Sequence, residues 1–192
     1  VNNPFGRLPE LPIVIPFGVL ILTLMLWRLR ASGRLSVPRA LVAVALAVYA
    51  AGVAANTVFP IYLRLPSTGE KWVPGLALRP FYDYEVGDAV MNMIVFFPAG
   101  ILIALVLARP TWLKMLACIA ATSLAIELIQ LAMQALANGG HIADVNDVIF
   151  NVLGGLIGYG VLRAMMLSPW CSRIIERFRW TDSSAGPEPV RS

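Results

Sequence analysis

Apolar residues along this chain gather into five long runs separated by short polar segments, a pattern that predicts five membrane-spanning helices. The runs cover about 11–27, 40–59, 89–108, 112–137 and 148–167. Each approaches the ~20 residues that cross ~30 Å of hydrocarbon at a rise of ~1.5 Å per residue. Strands of a membrane barrel would be ~10 residues long with alternating apolar and polar positions, and that alternation is absent. Lipid offers no partner for backbone N–H and C=O groups, so helices must satisfy them internally. The fold class expected is therefore all-α: a polytopic transmembrane bundle of about five helices over 1–167. An amphipathic segment (SPWCSRIIERFRW, 168–180) and a disordered tail complete the chain to 192. In the amphipathic segment Trp170, Ile174 and Phe178 fall on one helical face, and Arg173 and Arg177 on another.

Composition agrees with lipid as the main solvent. Hydrophobic residues make up 58% of the chain and charged residues 14%, against about 25% charged in a soluble domain. The net charge is +4, yet the basic residues sit in short loops rather than in an aromatic-interleaved patch, so no nucleic-acid partner is expected. Their distribution instead predicts orientation. Eleven of the fifteen basic residues, Arg28 through Arg39, Arg109, Lys114, Arg163 and those of the C-terminal segment, fall on one side. The positive-inside rule makes that side cytoplasmic, with the N-terminus outside and the C-terminus inside. The first run reads as a retained helix, because Arg28, Arg30 and Arg34 follow it rather than precede it and no small-residue cleavage site is evident. Cys118 and Cys171 suggest neither a disulfide framework nor a metal cluster, and one histidine, His141, does not make a multi-histidine site. No metal and no cofactor is expected.

Polar side chains inside the runs carry the functional signal, since each costs free energy in hydrocarbon. In the third run Asp88 and Asn92 share a helical face, followed by Pro98 and Gly100. In the fourth, Ser123, Glu127 and Gln130 lie at i, i+4 and i+7, with Gln134 extending the stripe. Approaching and entering the fifth, Asp144, Asp147, Asn151, Gly154 and Gly158 follow offsets that trace one continuous helical stripe. Counting along the helices puts Glu127 about 15 Å and Gln130 about 10 Å below the outer boundary, with Asn92 and Asn151 roughly 5 Å below it. Facing one another, the three stripes would form a polar cleft open to the outside with Glu127 at its floor. As isolated residues, Asn92, Gln130 and Asn151 read equally well as interhelical hydrogen-bond partners. Gly154 and Gly158 form a G-x-x-x-G pattern that suits close packing of the fifth helix on the third or fourth, with a homo-oligomeric interface as the alternative. The loop of about 60–88, rich in proline and carrying Tyr62, Trp72, Phe81, Tyr82 and Tyr84, reads as an interfacial anchor or as a lid over a pocket.

Three of these patterns together resemble the VanZ-like family of bacterial membrane proteins. They are D-x-x-x-N-x-x-x-F-x-P-x-G at Asp88, Asn92, Phe96, Pro98 and Gly100; S-x-x-x-E-x-x-Q at Ser123, Glu127 and Gln130; and D-x-x-D-x-x-x-N-x-x-G-G-x-x-G at Asp144, Asp147, Asn151, Gly154, Gly155 and Gly158. The resemblance covers about residues 85–165. It implies a cell-envelope role in the bacterial cytoplasmic membrane; the family is named for a protein associated with low-level resistance to the glycopeptide teicoplanin. One departure is His141, which stands where the family pattern commonly has arginine. Histidine pairs with an anion only when protonated, below about pH 6.5.

Three functional readings follow. The first is a non-enzymatic envelope protein whose outer cleft binds a membrane lipid, a lipid-linked wall precursor or a lipoglycopeptide. Its candidate site is Asp88, Asn92, Ser123, Glu127, Gln130, His141, Asp144, Asp147 and Asn151. The second is an intramembrane enzyme on a lipid-linked substrate, in which Glu127, Asp144, Asp147 and His141 supply acid–base groups. No G-x-S-x-G or H-E-x-x-H pattern is present, so no catalytic residue is assigned. The third is a small proton-coupled transporter or flippase using Glu127 as a gate.

Overall fold

The computed structural model describes residues 8–59, 61, 75–82, 84–137 and 143–181. Five of its helices are long and apolar enough to cross a membrane: α1 (Leu11–Ala31), α2 (Val37–Val58), α3 (Val86–Val106), α4 (Trp112–Ala137) and α5 (Val145–Met165). A shorter helix, α6 (Pro169–Phe178), follows. The only strands among the described residues are two short ones, β1 (Leu76–Ala77) and β2 (Ala143–Asp144). They pair in parallel with Leu76 opposite Ala143 and Ala77 opposite Asp144. Residue 141 lies outside the described residues, as do Tyr62, Trp72 and the tail beyond 181.

Three helices start a few residues before the apolar runs that predicted them. Hydropathy marks where lipid begins, whereas a helix begins at its cap. Pro38 occupies the first turn of α2, where its missing N–H costs nothing. The first turns of α3 and α5 carry Asp88 and Asp147, which suit the positive end of the helix dipole. Asp144 is itself the N-cap of α5, and its Oδ1 accepts the Asn146 backbone N–H at 2.8 Å. Asp144 is thus extended backbone rather than the first helical position of a stripe.

The polarity of the bundle is inverted relative to a water-soluble protein. Leu11, Ile13, Leu20, Leu24 and Trp27 of α1, Met91 and Ile94 of α3 and Leu128 of α4 are exposed, while Ser123, Glu127, Gln134, Asn146 and Asn151 are buried. Such an exterior is stable where lipid covers it. α3 and α5 pack along their length, α4 packs on α5, and α1 sits at the periphery on α2.

Glycine makes the α3–α5 contact. A Cβ on Gly154 would collide with the backbone of Met93, one on Gly158 with Phe97 O, and one on Gly100 with Gly155 O. On the other side, a Cβ on Gly155 would fall 2.8 Å from the Ile119 side chain of α4. Backbone approach of this kind, with dispersion over the whole seam, is how membrane helices associate when no hydrophobic force separates protein from lipid.

α6 differs in detail from the expected amphipathic face. Ile175 is buried, and Cys171 and Phe178 pack on the core, so that stripe faces the bundle. Trp170 and Ile174 point outward and are exposed. The apolar face of the helix is a single wide arc, one flank of which meets protein while the other is left for the membrane surface, with Arg173 and Arg177 on the polar face.

Candidate functional site

The polar residues converge at the end of the bundle that carries β1 and β2. Asn92 lies about 9 Å along α3 from its first residue, and Asn151 about 9 Å along α5. From α4, Glu127 and Gln130 face the same region. Asn92 Nδ2 donates to Asp147 Oδ1 at 2.6 Å, tying α3 to α5. Asn151 Nδ2 donates to Ser123 Oγ at 3.0 Å in a fully buried bond between α5 and α4. Glu127 Oε2 accepts the Asp144 backbone N–H at 3.0 Å, so this carboxyl holds the entry of α5.

The connections above the site are tied to it by side chains from below. Asn146 Oδ1 accepts the Phe81 N–H at 2.7 Å, and Phe81 adopts a left-handed backbone with φ of 59°. Gln134 Oε1 accepts the Gly75 N–H at 2.9 Å, next to β1. The rings of Phe81, Tyr84 and Phe150 form a cluster with centroid separations of 5.6–6.4 Å. Arg79 stacks over Tyr82 at 5.6 Å. The loop ahead of α3 is therefore anchored onto the start of α5 by one amide and an aromatic stack.

Asn92, Glu127, Gln130, Asp147 and Asn151 line a cleft of about 420 Å³. Its opposite wall comes from α2, through Tyr49, Gly52, Asn56 and Thr57. Pro98 also lines it and, lacking an N–H, leaves the Ile94 carbonyl without its helical donor. Ser123 lies behind Asn151, and Asp144 behind Glu127. Asp88 is exposed in the first turn of α3 and does not line the cleft. His141 falls outside the described residues.

Three buried polar atoms on the cleft residues have no hydrogen-bond partner among the described residues: Tyr49 Oη, Gln130 Oε1 and Asn151 Oδ1. Buried polar groups are normally paired, and an unpaired one costs about 1–3 kcal/mol. The cleft also opens sideways. Tyr49, Val53, Thr57 and Ile126 are shared with an adjoining groove of about 850 Å³, whose other walls are mostly apolar side chains of α1, α2, α3 and α4 such as Phe17, Leu46, Ile103 and Ile129. A polar chamber thus runs into an apolar trough between helices.

The contribution of α2 was missed in the sequence, although a signal was present. Tyr49, Gly52 and Asn56 stand at i, i+3 and i+7, a one-face stripe at the same end as the others. Asn146 was missed as well, because it lies off the stripe that Asp147 and Asn151 define.

One prediction arises from the unpaired atoms. Asn151→Leu removes a bond to Ser123 worth about 0.6 kcal/mol. It also removes an unsatisfied acceptor that costs more, and Ser123 can donate to its own helix. The variant is expected to unfold at or above the wild-type temperature when assayed in detergent without added lipid. A plain structural role for Asn151 would lower that temperature instead.

A bundle of five membrane-length helices with a polar chamber in one half defines a polytopic membrane protein rather than a soluble enzyme domain. The chain belongs to the VanZ/LLP1 family, whose model matches residues 46–167, from within α2 to the end of α5, and so includes every cleft residue named above. No curated protein and no solved structure matches the chain.

Proposed function

We propose that this protein is a cell-envelope component of the bacterial cytoplasmic membrane that binds an amphiphile, a membrane lipid or lipid-linked wall precursor, with its polar head in the cleft and its chain in the groove. The observation that carries the reading is the continuity of the two spaces through Tyr49, Val53, Thr57 and Ile126. A water-soluble ligand has no use for the apolar trough, and a simple hydrocarbon none for the chamber. The unpaired atoms of Tyr49, Gln130 and Asn151 offer one hydroxyl and two acceptors to a sugar, amide or glycerol headgroup. Small pockets of a few hundred Å³ suit a headgroup. A whole glycopeptide is much larger than the cleft, so teicoplanin would engage through its acyl chain or not at all.

The distribution of basic residues supports an outer position for the cleft. Among the described residues ten basic side chains lie toward the other end of the bundle, against Arg79 at this one. Phe81 and Tyr82 at the cleft's end are exposed, as suits residues at headgroup level.

Glu127→Gln tests the site. The amide oxygen still accepts the Asp144 N–H, so the fold should persist, while the carboxyl is lost. Binding of a lipid-linked wall precursor to the purified protein in nanodiscs is expected to weaken about ten-fold, the scale of one buried hydrogen bond. Unchanged affinity in a folded variant would remove Glu127 from the site.

A further inference from the structure

The polar atoms left without partners in the cleft are largely of one kind. Gln130 Oε1 and Asn151 Oδ1 are carbonyl oxygens, and Tyr49 Oη accepts as well as donates. Asn151 is 4% exposed, and its Nδ2 is held by Ser123 Oγ at 3.0 Å, which leaves Oδ1 for the cleft. The amide nitrogen of Asn92 likewise donates within the bundle, to Asp147 at 2.6 Å. Glu127 adds a carboxyl, whose Oε2 accepts the Asp144 N–H. No Lys, Arg or His lines the cleft among the described residues.

This balance decides between two kinds of headgroup. A phosphate diester brings oxygens and neither an N–H nor an O–H. It would leave Gln130 Oε1 and Asn151 Oδ1 unpaired, and its own charge calls for the cationic donors that this wall lacks. A sugar brings several hydroxyls, each able to donate to one wall atom and to accept from another. Its ring also offers C–H faces to Val95 and Ile126, which stand among the polar groups. Tyr49 lines both the cleft and the apolar groove, so its hydroxyl stands where a sugar joins a chain that lies in the groove.

We propose that the cleft selects its amphiphile by a sugar, whose hydroxyls donate to Gln130 and Asn151 and pair with Tyr49, and that a lipid headed by phosphate alone is not retained. The inference rests on the amphiphile reading above and narrows it. A lipid-linked precursor that carries both groups is held through its sugars rather than its phosphates.

The test uses the full chain in a polyoxyethylene detergent, which carries neither sugar nor phosphate, and follows thermal unfolding as lipid is added. The probes are a glucosyl diacylglycerol, phosphatidic acid and diacylglycerol with the same acyl chains. Wild type should gain stability saturably with the glucosyl lipid, at a concentration at least about ten-fold below that needed with either of the others. Tyr49→Phe and Gln130→Leu should each need about five-fold more glucosyl lipid, the scale of one neutral hydrogen bond, with no fall in the lipid-free unfolding temperature. A merely structural role would lower that temperature and leave the lipid dependence unchanged. Gly52→Trp, which places an indole in the cleft, should abolish the glucosyl response. Phosphatidic acid acting at an equal or lower concentration, and blocked by Gly52→Trp, would overturn the sugar inference while the amphiphile reading stands. So would diacylglycerol matching the glucosyl lipid, or wild-type lipid dependence in both Tyr49→Phe and Gln130→Leu. No saturable response to any of the three lipids would overturn both.

Discussion

Gly158→Leu is expected to abolish accumulation of folded protein. The Cβ alone would collide with Phe97 O on α3, and the remaining side chain would have to push the two helices apart. Overpacking in ordinary cores costs about 1–3 kcal/mol because side chains give way. Here the obstacle is backbone, and relief means opening the α3–α5 seam, which also strains the Asn92–Asp147 bond of 2.6 Å. Gly154→Val should behave similarly, since its Cβ would meet the backbone of Met93. Gly87→Ala is the control: nothing lies within 4 Å of its added Cβ, and alanine favours the helix by up to about 1 kcal/mol. Fluorescence-detected gel filtration reads all three. A monodisperse Gly158→Leu protein with wild-type thermal stability would show that the seam is not what the glycines build.

The seam illustrates how much the sequence carries. Five runs of apolar residues specify five helices because a bilayer imposes one length on every crossing. Polar residues at helical spacing in the third, fourth and fifth runs mark their inward faces, because hydrocarbon penalises any other placement. What hydropathy does not register is the chemistry of helix ends. Asp144 reads as the head of a stripe, yet its work is to cap α5 and to present its N–H to Glu127. Nor does a helical stripe reveal its partner. Gly52 is an unremarked residue in the second run, and Tyr49 reads as one more bulky apolar position until α2 lies across from Glu127. Asp88 shares a face with Asn92 in sequence, but one turn nearer the helix start it is exposed.

Gly52→Trp should separate folding from binding. Gly52 lines the cleft, and nothing lies within 4 Å of a Cβ added there. The substitution replaces a poor helix former, so the bundle should lose no stability. An indole in a cleft of about 420 Å³ leaves little room for a headgroup. Loss of binding by about ten-fold or more is expected, with an unfolding temperature equal to or above wild type, the reverse of what Gly158→Leu should do. Parallel loss of both would mean that the indole disrupts the α2 wall rather than filling the cleft.

The most direct test of the amphiphile reading compares one headgroup with and without its tail. A lipid-linked wall precursor, its water-soluble headgroup, teicoplanin and vancomycin are each titrated against the full chain in nanodiscs. The account predicts saturable binding of the tailed precursor, weakened by Glu127→Gln and Gly52→Trp, with no saturation by the soluble headgroup at the same concentrations. Equal binding of the tailed and tailless forms would contradict the coupling of cleft to groove, and an absence of saturable binding by every probe to a folded protein would contradict the function itself.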